Sequence, residues 1–458
     1  MTLRLFLASC ATCATVLFVA SGAAAAPNIV FLISDDHSSF SLGCYGSNVR
    51  TPNLDKLAAD GVRFTNAFVA SPQCSPSRSA ILTGRWPHQT GTSRLHAPLR
   101  DEHETLIDRL EAAGYHTGGF RKHHLGPALR ARFDFFADSE DPKDFPAFFD
   151  KRPKDQPFFL WVGFTDPHRD YEPGAVTPPH DPAEIKVPPF LPDMPDVRAD
   201  LAMYHDEVAR MDSNCGVILA LLEKHGVADN TLVFFFGDNG MPFPGAKGTL
   251  YDPGIRVPLI ARGPAGKVQG GRVVDALVSL IDLTPTCLDV AGLAPMPNAQ
   301  GVSFTPLLTR RGKGVRGEIF SERNWHDNFD PMRCVRTERF KLIYNCRTEV
   351  PYEPIADLKR SPTWQAILAR SESLPPAMEH RFFQSPRPVF ELYDLQADPN
   401  ETNNLAEDPA HAAARKDLVG RLATWMEETN DFLPPPQTGR RAARESRAAA
   451  ATTTTRTR

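Results

Sequence analysis

PNIVFLISDD (residues 27–36) is the stretch that decides the fold class. Its apolar run has no polar alternation and stops at two acids, which is typical of a strand buried on both faces of a parallel sheet. Segments of this kind alternate with helical patterns, with strands expected at 115–120, 157–164, 231–236, 257–261 and 277–280 and helices at 52–59, 104–113, 199–223 and 283–291. This alternation predicts an α/β fold, in which a large mixed, mainly parallel sheet is sandwiched by helices.

The pattern changes after residue 315. Short β-like segments precede one amphipathic helix, with the strands expected at 318–321, 340–344 and 389–395 and the helix at 412–428. We therefore expect a large α/β domain over residues 27–315 and a smaller α+β domain over residues 316–438. Two proline-rich stretches, 173–195 and 351–388, are expected to form loops over the surface or the rim of a cleft.

The first 26 residues have the organisation of an export signal. Arg4 precedes an apolar region, and small residues up to Ala26 offer an Ala-x-Ala cleavage site before Pro27. The apolar region is too short and too poorly flanked for a membrane span, so we expect an exported protein, periplasmic or secreted, that does not span the membrane. A lipid anchor at Cys10 is the less favoured alternative, because the apolar region continues past that residue.

The composition argues against two classes of protein. Hydrophobic residues make up 41% and charged residues 23% of the chain, which argues against overall disorder. The formal net charge is −4, and six arginines lie in the terminal segment 439–458, so the rest of the chain is more acidic still. An acidic body argues against general nucleic-acid binding. The basic terminal segment is expected to be disordered, with an interaction arm as the alternative.

Removal of the export signal would leave six cysteines. An even number in an exported protein permits disulfides, but so sparse a set cannot be the framework of the fold. Cys334 and Cys346 are close enough in the sequence for a bridge across a hairpin, and we expect them to pair.

Oxygen-bearing side chains follow two of the expected strands. Asp35 and Asp36 come directly after the first strand, and Asp238 and Asn239 follow the strand at 231–236. Because the carboxyl ends of parallel strands meet at one edge of a sheet, these four side chains are expected to converge. Taken singly they are ordinary turn and cap residues. Together they are hard ligands that suit Ca²⁺ or Mg²⁺ rather than zinc.

Cys74-Ser75-Pro76-Ser77-Arg78 resembles the C-x-P-S-R signature of the sulfatase family, within the alkaline-phosphatase superfamily. Other segments resemble further motifs of that family and occur in the usual order: 28–36, 51–55, 122–126, 237–240, 248–251, 254–258 and 391–395. The resemblance implies a fold of the alkaline-phosphatase and sulfatase type. It also implies that a formylglycine-generating enzyme converts Cys74 to formylglycine (3-oxoalanine) during maturation, so that an aldehyde hydrate attacks sulfur.

The same resemblance implies the roles of the site residues. The expected metal ligands are Asp35, Asp36, Cys74, Asp238 and Asn239, and the expected catalytic residues are Cys74, Arg78, Lys122, His124, His168 and Lys247. The cation would be Ca²⁺, with Mg²⁺ as the alternative. Arg78 would orient the formylglycine, and Lys122 and Lys247 would bind sulfate oxygens. His124 and His168 would move protons, with His168 protonating the leaving group.

Three local segments resemble the heparan N-sulfatase (sulfamidase) branch of the family: 165–169, 241–247 and 330–333. That branch implies removal of sulfate from the amino group of glucosamine in a sulfated sugar or oligosaccharide, and relatives of this type suggest a homodimer. Contacts with the sugar are then expected from Asp166, Arg169, His326 and Arg333. The alternative that these residues support loops is equally open.

Other activities remain as alternatives. Lys247 stands where the branch has arginine, and lysine keeps the charge but loses the two-pronged hydrogen-bonding fork. An O-sulfatase acting on 6-O-sulfated glycans or aryl sulfates is therefore the first alternative. A phosphonate or phosphodiester hydrolase of the same superfamily can share the nucleophile motif. A non-catalytic glycan-binding relative would require a broken metal or nucleophile set, whereas every expected position is filled.

Overall fold

The computed structural model describes residues 26–264, 267–309 and 312–436. Residues 1–25 of the expected export signal and the basic segment 439–458 lie outside the described residues. Within the described ranges, no helix has both the length and the apolar character needed to cross a membrane.

In the described residues there are two sheets, and the larger has nine strands with the first predicted strand near its centre. Its strands are β1 (Asn28–Ser34), β2 (Val62–Phe68), β3 (His116–Arg121), β4 (Phe135–Ala137), β5 (Phe158–Gly163), β6 (Thr231–Gly237), β7 (Arg256–Arg262), β8 (Arg272–Val274) and β9 (Val278–Ser279). The order is β4-β3-β5-β1-β6-β7-β2-β8, with β9 paired to β2. Only β7 runs antiparallel to its neighbours β6 and β2 among these pairs, so the sheet is mixed and mainly parallel, as predicted.

Helices cover this sheet on both faces: α1 (Pro52–Asp60), α2 (Cys74–Thr83), α3 (Pro87–Thr90), α4 (Leu106–Ala112), α5 (Pro146–Lys151), α6 (Pro195–Lys224), α7 (Asp252–Ile255), α8 (Leu283–Val290) and α9 (Thr305–Leu308). Alternate residues of β1 belong to two separate apolar cores. Phe31 packs in the core that includes Leu106 of α4, whereas Leu32 packs in the core that includes Leu201 of α6. This two-sided burial explains the unbroken apolar run of β1.

The second sheet is antiparallel, with the order β10 (Ile319–Trp325), β11 (Phe329–Arg336), β12 (Phe340–Asn345) and β13 (Phe390–Asp394). The last helix, α13 (Ala412–Glu428), buries Leu418 and Leu422 against Val335 and Leu342 of this sheet. The second sheet begins four residues after the predicted domain boundary at 315/316, and that boundary stays a prediction.

Several elements differ from the sequence-based predictions. The stretch 351–388 contains the helices α10 (Ala356–Lys359), α11 (Pro362–Ala369) and α12 (Pro376–Phe383), so the prediction of a loop there is wrong. Pro362 and Pro376 lie in the first turn of their helices. Backbone N–H groups there make no hydrogen bond within the helix, so proline, which has no N–H, is tolerated. The strands β2, β4, β8 and β11 are not among the predicted strands, and the strand expected at 277–280 shortens to β9.

The predicted disulfide is also wrong. All six cysteines in the described part of the chain are free. Cys334 lies opposite Ile343, and Met332 lies opposite Asn345, so Cys346 is displaced along the hairpin from Cys334. Antiparallel register therefore separates two residues that are close in sequence.

Candidate active site

The turns after β1 and β6 meet at one edge of the large sheet, as expected for parallel neighbours. Ser34 pairs with Gly237 at the end of the ladder, and the Asp36 N–H donates to Asp238 Oδ1 at 3.0 Å. Carboxylate oxygens of Asp35, Asp36 and Asp238 all lie within 4.8 Å of one another, and all three residues are buried. The two distant sequence segments thus form one acidic cluster.

The donor set of this cluster fits a hard divalent cation. Asp35 Oδ1 and Asn239 Oδ1 are buried without a hydrogen-bond partner among the described residues. Buried polar atoms in folded proteins are nearly always satisfied, so two such oxygens beside two further carboxylates indicate a ligand. A cation bound by oxygens would satisfy them.

Cys74 is the first residue of α2 and faces the acidic cluster. Its Sγ lies 3.7 Å from Asp36 Oδ1, and the residue is only 2% exposed. Burial and the neighbouring charge of Asp35 raise the pKa of the Cys74 thiol well above its ordinary value. An unmodified thiol here would stay protonated and would be a poor nucleophile.

Buried cations neutralise the acidic cluster. Arg78 Nε donates to Asp238 Oδ2 at 2.7 Å, and Lys247 Nζ donates to Asp36 Oδ2 at 2.7 Å. Lys122 Nζ contacts Asp35. Burial alone would raise the pKa of Asp35, but the charges of Lys122, His168, Arg78 and Lys247 hold it well below its ordinary value. The three cations predicted from the sequence are therefore gathered at the carboxylates.

The two candidate proton carriers have different surroundings. His168 Nδ1 contacts the carbonyl oxygen of Arg169, which turns Nε2 toward Lys247 Nζ at 3.2 Å and toward Asp36 Oδ2 at 3.7 Å. His124 Nε2 lies 2.5 Å from His96 Nδ1. Burial and the charge of Lys122 lower the pKa of His124 to about 2, so its imidazole is neutral and only weakly basic in this arrangement.

The family model described as Sulfatase matches residues 27–293, and a second model, N-sulphoglucosamine sulphohydrolase, C-terminal, matches residues 246–374. The chain belongs to the sulfatase family. This membership confirms the resemblance drawn from the C-x-P-S-R motif, and the protein is a sulfatase of mixed α/β fold. Sulfatases generally depend on a metal and a formylglycine, and the acidic cluster has groups that could bind a metal.

Three comparisons cover most of this sulfatase. It is 34% identical to the N-sulphoglucosamine sulphohydrolase of Homo sapiens, over 92% of this chain and 94% of that protein. It is 30% identical to an ulvan-active sulfatase of Formosa agariphila, over 88% of this chain and 75% of that protein. A solved structure of a protein in complex with its substrate D-glucosamine-2-N,6-O-disulfate superposes with a TM-score of 0.70, at 21% identity, over 90% of this chain and 99% of that chain.

Arg169 and Asp166, two of the residues expected to contact the sugar, instead pair with other residues of this sulfatase. Arg169 forms a two-pronged pair with Asp200, at 2.8 and 2.7 Å, and Asp166 accepts from Arg210 Nη2 at 2.7 Å. The carbonyl oxygen of Asp166 also accepts from the Asp35 N–H at 3.0 Å. These contacts favour the loop-supporting alternative for both residues.

His326 and Arg333, the other two residues expected to contact the sugar, have different surroundings from each other. His326 lies close enough to Lys247 that burial and this charge lower its pKa to about 4. Arg333 is fully buried, and its guanidinium donates to Asp431 Oδ1 at 2.8 Å and to a carbonyl oxygen of the second sheet. A substrate contact by Arg333 is therefore not supported by the structure, because its charge is already paired in the interior.

Asp357 of α10 is a site residue that the sequence reasoning missed. Its Oδ2 accepts from Lys247 Nζ at 2.7 Å and lies 3.7 Å from His168 Nε2. The residue belongs to the stretch 351–388, which shows neither a strand pattern nor a long helical one, so no signal in the sequence joins it to the site.

Proposed function

We propose that this sulfatase removes sulfate from the amino group of N-sulfoglucosamine in sulfated glycans. The observation that carries the proposal is the similarity to human N-sulphoglucosamine sulphohydrolase, at 34% identity over 92% of this chain. The second family model supports it, because its range of 246–374 includes both Lys247 and Asp357.

The proposed cation is Ca²⁺, with Mg²⁺ as the alternative, and its ligands would be Asp35, Asp36, Asp238, Asn239 and the modified Cys74. The all-oxygen protein donor set supports this choice. The cation would lower the pKa of a hydroxyl on the formylglycine hydrate, which is the nucleophile for sulfur.

The remaining residues would orient charge and move protons. Arg78, fixed on Asp238 at 2.7 Å, would hold the modified side chain in place. Lys122 and Lys247 would bind the sulfate oxygens and stabilise the charge that develops on them. His168 would protonate the departing nitrogen through Nε2. His124 would accept the proton that is lost when sulfate is expelled, because the negative charge of bound sulfate would offset the charge of Lys122 and raise the pKa of His124.

The test is sulfate release from N-sulfoglucosamine and from glucosamine-6-sulfate by the purified protein. We expect a higher kcat/KM for N-sulfoglucosamine. Cleavage of the 6-O-ester alone would contradict the proposed S–N specificity and leave the sulfatase activity intact.

An O-sulfatase acting on glycan esters is the second candidate. The observation in its favour is Lys247, which stands where arginine is expected in the N-sulfatase branch and which gives up the two-pronged contact with a sulfate. The same assay distinguishes the two candidates, because it reports both bonds side by side.

We further propose that residues 1–26 direct export to the periplasm or the medium, and that a formylglycine-generating enzyme converts Cys74 before the protein is active. A homodimer is proposed from the sulfamidase-type resemblance. The domains are proposed as 27–315 for catalysis and 316–438 for the smaller unit.

A further inference from the structure

Asp357 brings an unsatisfied carboxylate oxygen to the candidate active site. Its Oδ2 is bound by Lys247 at 2.7 Å, whereas its Oδ1 is buried and has no hydrogen-bond partner within the described part of the chain. The side chain as a whole is 21% exposed although Oδ1 itself is buried, so the site opens beside this carboxylate. A buried acceptor of this kind is costly unless something donates to it.

The segment that carries Asp357 is held firmly against the loop that carries Lys247. The Gly245 N–H donates to Tyr352 Oη at 3.0 Å. A Cβ at Gly248 would lie 3.0 Å from Ile355 Cγ2, which shows how closely the two segments pack. On the other side, the Ala356 N–H donates to Asp327 Oδ2 at 2.6 Å. Asp357 is therefore a preorganised group and not a chance neighbour.

A carboxylate beside a sulfate-binding lysine has a clear chemical consequence. It repels a sulfate oxygen, so it opposes the binding of a bare anion. It becomes favourable only when the molecule that carries the sulfate also presents an N–H or O–H that can donate to it. The position thus selects for a hydrogen-bond donor next to the sulfated atom.

We propose that Asp357 is a specificity-determining residue that accepts a hydrogen bond from an N–H or O–H group of the substrate beside the sulfated atom. It selects sulfated amino sugars over sulfates that have no donor there. This inference rests on the proposed glycan substrate and adds to it the residue that recognises the sugar side of the bond being cut.

The experiment compares Asp357→Ala and Asp357→Asn with the wild-type protein, using two probes. The first is kcat/KM on N-sulfoglucosamine, and the second is the inhibition constant of inorganic sulfate, which has no hydrogen to donate at neutral pH. We expect Asp357→Ala to lower kcat/KM roughly 10- to 100-fold, the range for a hydrogen bond to a charged group. Asp357→Asn, which keeps an acceptor oxygen, is expected to recover part of that loss.

Inorganic sulfate is expected to inhibit Asp357→Ala as well as the wild type or more strongly, because a repelling charge has been removed. The inference is overturned if sulfate inhibition weakens in the same proportion as kcat/KM, since Asp357 would then act only by positioning Lys247. Asp327→Ala is the matched control, because it removes the acceptor for the Ala356 N–H that fixes the same segment. An equal loss of kcat/KM in Asp327→Ala would also overturn the inference.

Failure of the proposed function has a different signature. In that case the wild-type protein releases no sulfate from N-sulfoglucosamine, and the same comparison of variants is made with glucosamine-6-sulfate. Loss of turnover with preserved sulfate inhibition would again support the role of Asp357, and a parallel loss of both would refute it.

Discussion

Burial and the charge of Arg78 have opposing effects on the pKa of Asp238. Burial raises the pKa of Asp238 to about 7, against the opposing charge of Arg78 and with the help of the neighbouring Asp35 and Asp36. The raised pKa means that Asp238 releases its proton less readily than an ordinary carboxyl group. A divalent cation would favour its ionised form, so metal binding and protein stability should be coupled through this residue.

We expect Ca²⁺ to stabilise the wild-type protein and to have little effect on Asp238→Asn. Saturation at 100 times the dissociation constant contributes about 2.7 kcal/mol to the free energy of unfolding by mass action alone. Thermal unfolding with and without Ca²⁺ measures the effect. The control is Asp282→Asn, which breaks another buried pair, with Arg316, away from the site. That variant should lose stability and keep its response to Ca²⁺, and an equal response in both variants would contradict the ligand role of Asp238.

At the scale of the elements, the ends of β3 and β5 fix the cations of the site. The Lys122 N–H donates to the Gly163 carbonyl oxygen at 2.9 Å. The Lys122 carbonyl oxygen accepts from Arg78 Nη1 at 2.7 Å and from Trp161 Nε1 at 3.0 Å. A Cβ at Gly163 would lie 1.9 Å from that carbonyl oxygen. The close approach of two strand ends therefore requires glycine at the end of β5.

Gly163→Ala is expected to displace the Lys122 backbone and the Arg78 guanidinium together. Misplacement of catalytic groups by about 1 Å can cost 10²-fold in rate, so we expect a loss of that order in kcat/KM together with a lower melting temperature. Gly420→Ala is the matched control, because that helical position has open space around it. It should keep full activity and gain up to about 1 kcal/mol in the free energy of unfolding. Wild-type activity in Gly163→Ala would refute the requirement.

The sequence predicts those elements whose pattern is local. β1 and β6 are recognisable because both faces of each strand are buried, and the residues after them form the acidic cluster. β2 escapes prediction because Arg63 and Asn66 interrupt its apolar residues while its buried positions are filled by Phe64 and Phe68. The helices of 351–388 escape for a related reason, since they are short and their apolar cluster forms only when Trp364 and other aromatic rings pack together.

At the scale of the whole molecule, a buried ionic cluster joins the two sheets. Lys341 of β12 donates to Asp252 Oδ1 at 2.7 Å and to Glu401 Oε1 at 2.6 Å, and Arg336 of β11 lies 3.3 Å from the same Asp252 oxygen. Burial opposes ionisation of Asp252, but the charges of Arg336 and Lys341 hold its pKa below the ordinary value. The small sheet is thus fixed to α7 by charges that water does not screen.

Lys341→Met is expected to lower the free energy of unfolding by about 3–5 kcal/mol, because it leaves two buried carboxylates without their shared partner. In the wild type, the low pKa of Asp252 contributes stability above the unfolded pKa near 3.9, and this contribution falls as pH drops. The difference in the free energy of unfolding between Lys341→Met and the wild type should therefore become smaller as the pH is lowered. Urea titrations at two pH values measure this difference. Lys359→Met, which removes an exposed pair with Glu353, should cost no more than about 1 kcal/mol. Equal losses in the two variants would contradict the structural role of the cluster.

The sequence predicts only some of the residues that form the site in the whole molecule. The motifs place Cys74, Arg78 and the acids because each lies beside a strand end or in a compact signature. Asp357 and the Arg169 pair with Asp200 depend on contacts between distant segments, 110 residues apart for Asp357 and Lys247. No pattern within one segment encodes such a contact, so these two contacts can be seen only in the folded chain.

The burial of Cys74 determines when, relative to folding, its side chain can be modified. With 2% of the residue exposed, the side chain is out of reach of any modifying enzyme once α2 has packed. The proposed conversion of Cys74 would therefore have to precede the packing of α2, so the converted fraction would depend on the rates of conversion and folding rather than on equilibrium stability. A substitution that makes the chain fold faster would shorten the interval for conversion. Such a substitution can then raise the thermal stability of the protein and still lower the fraction of molecules that are active.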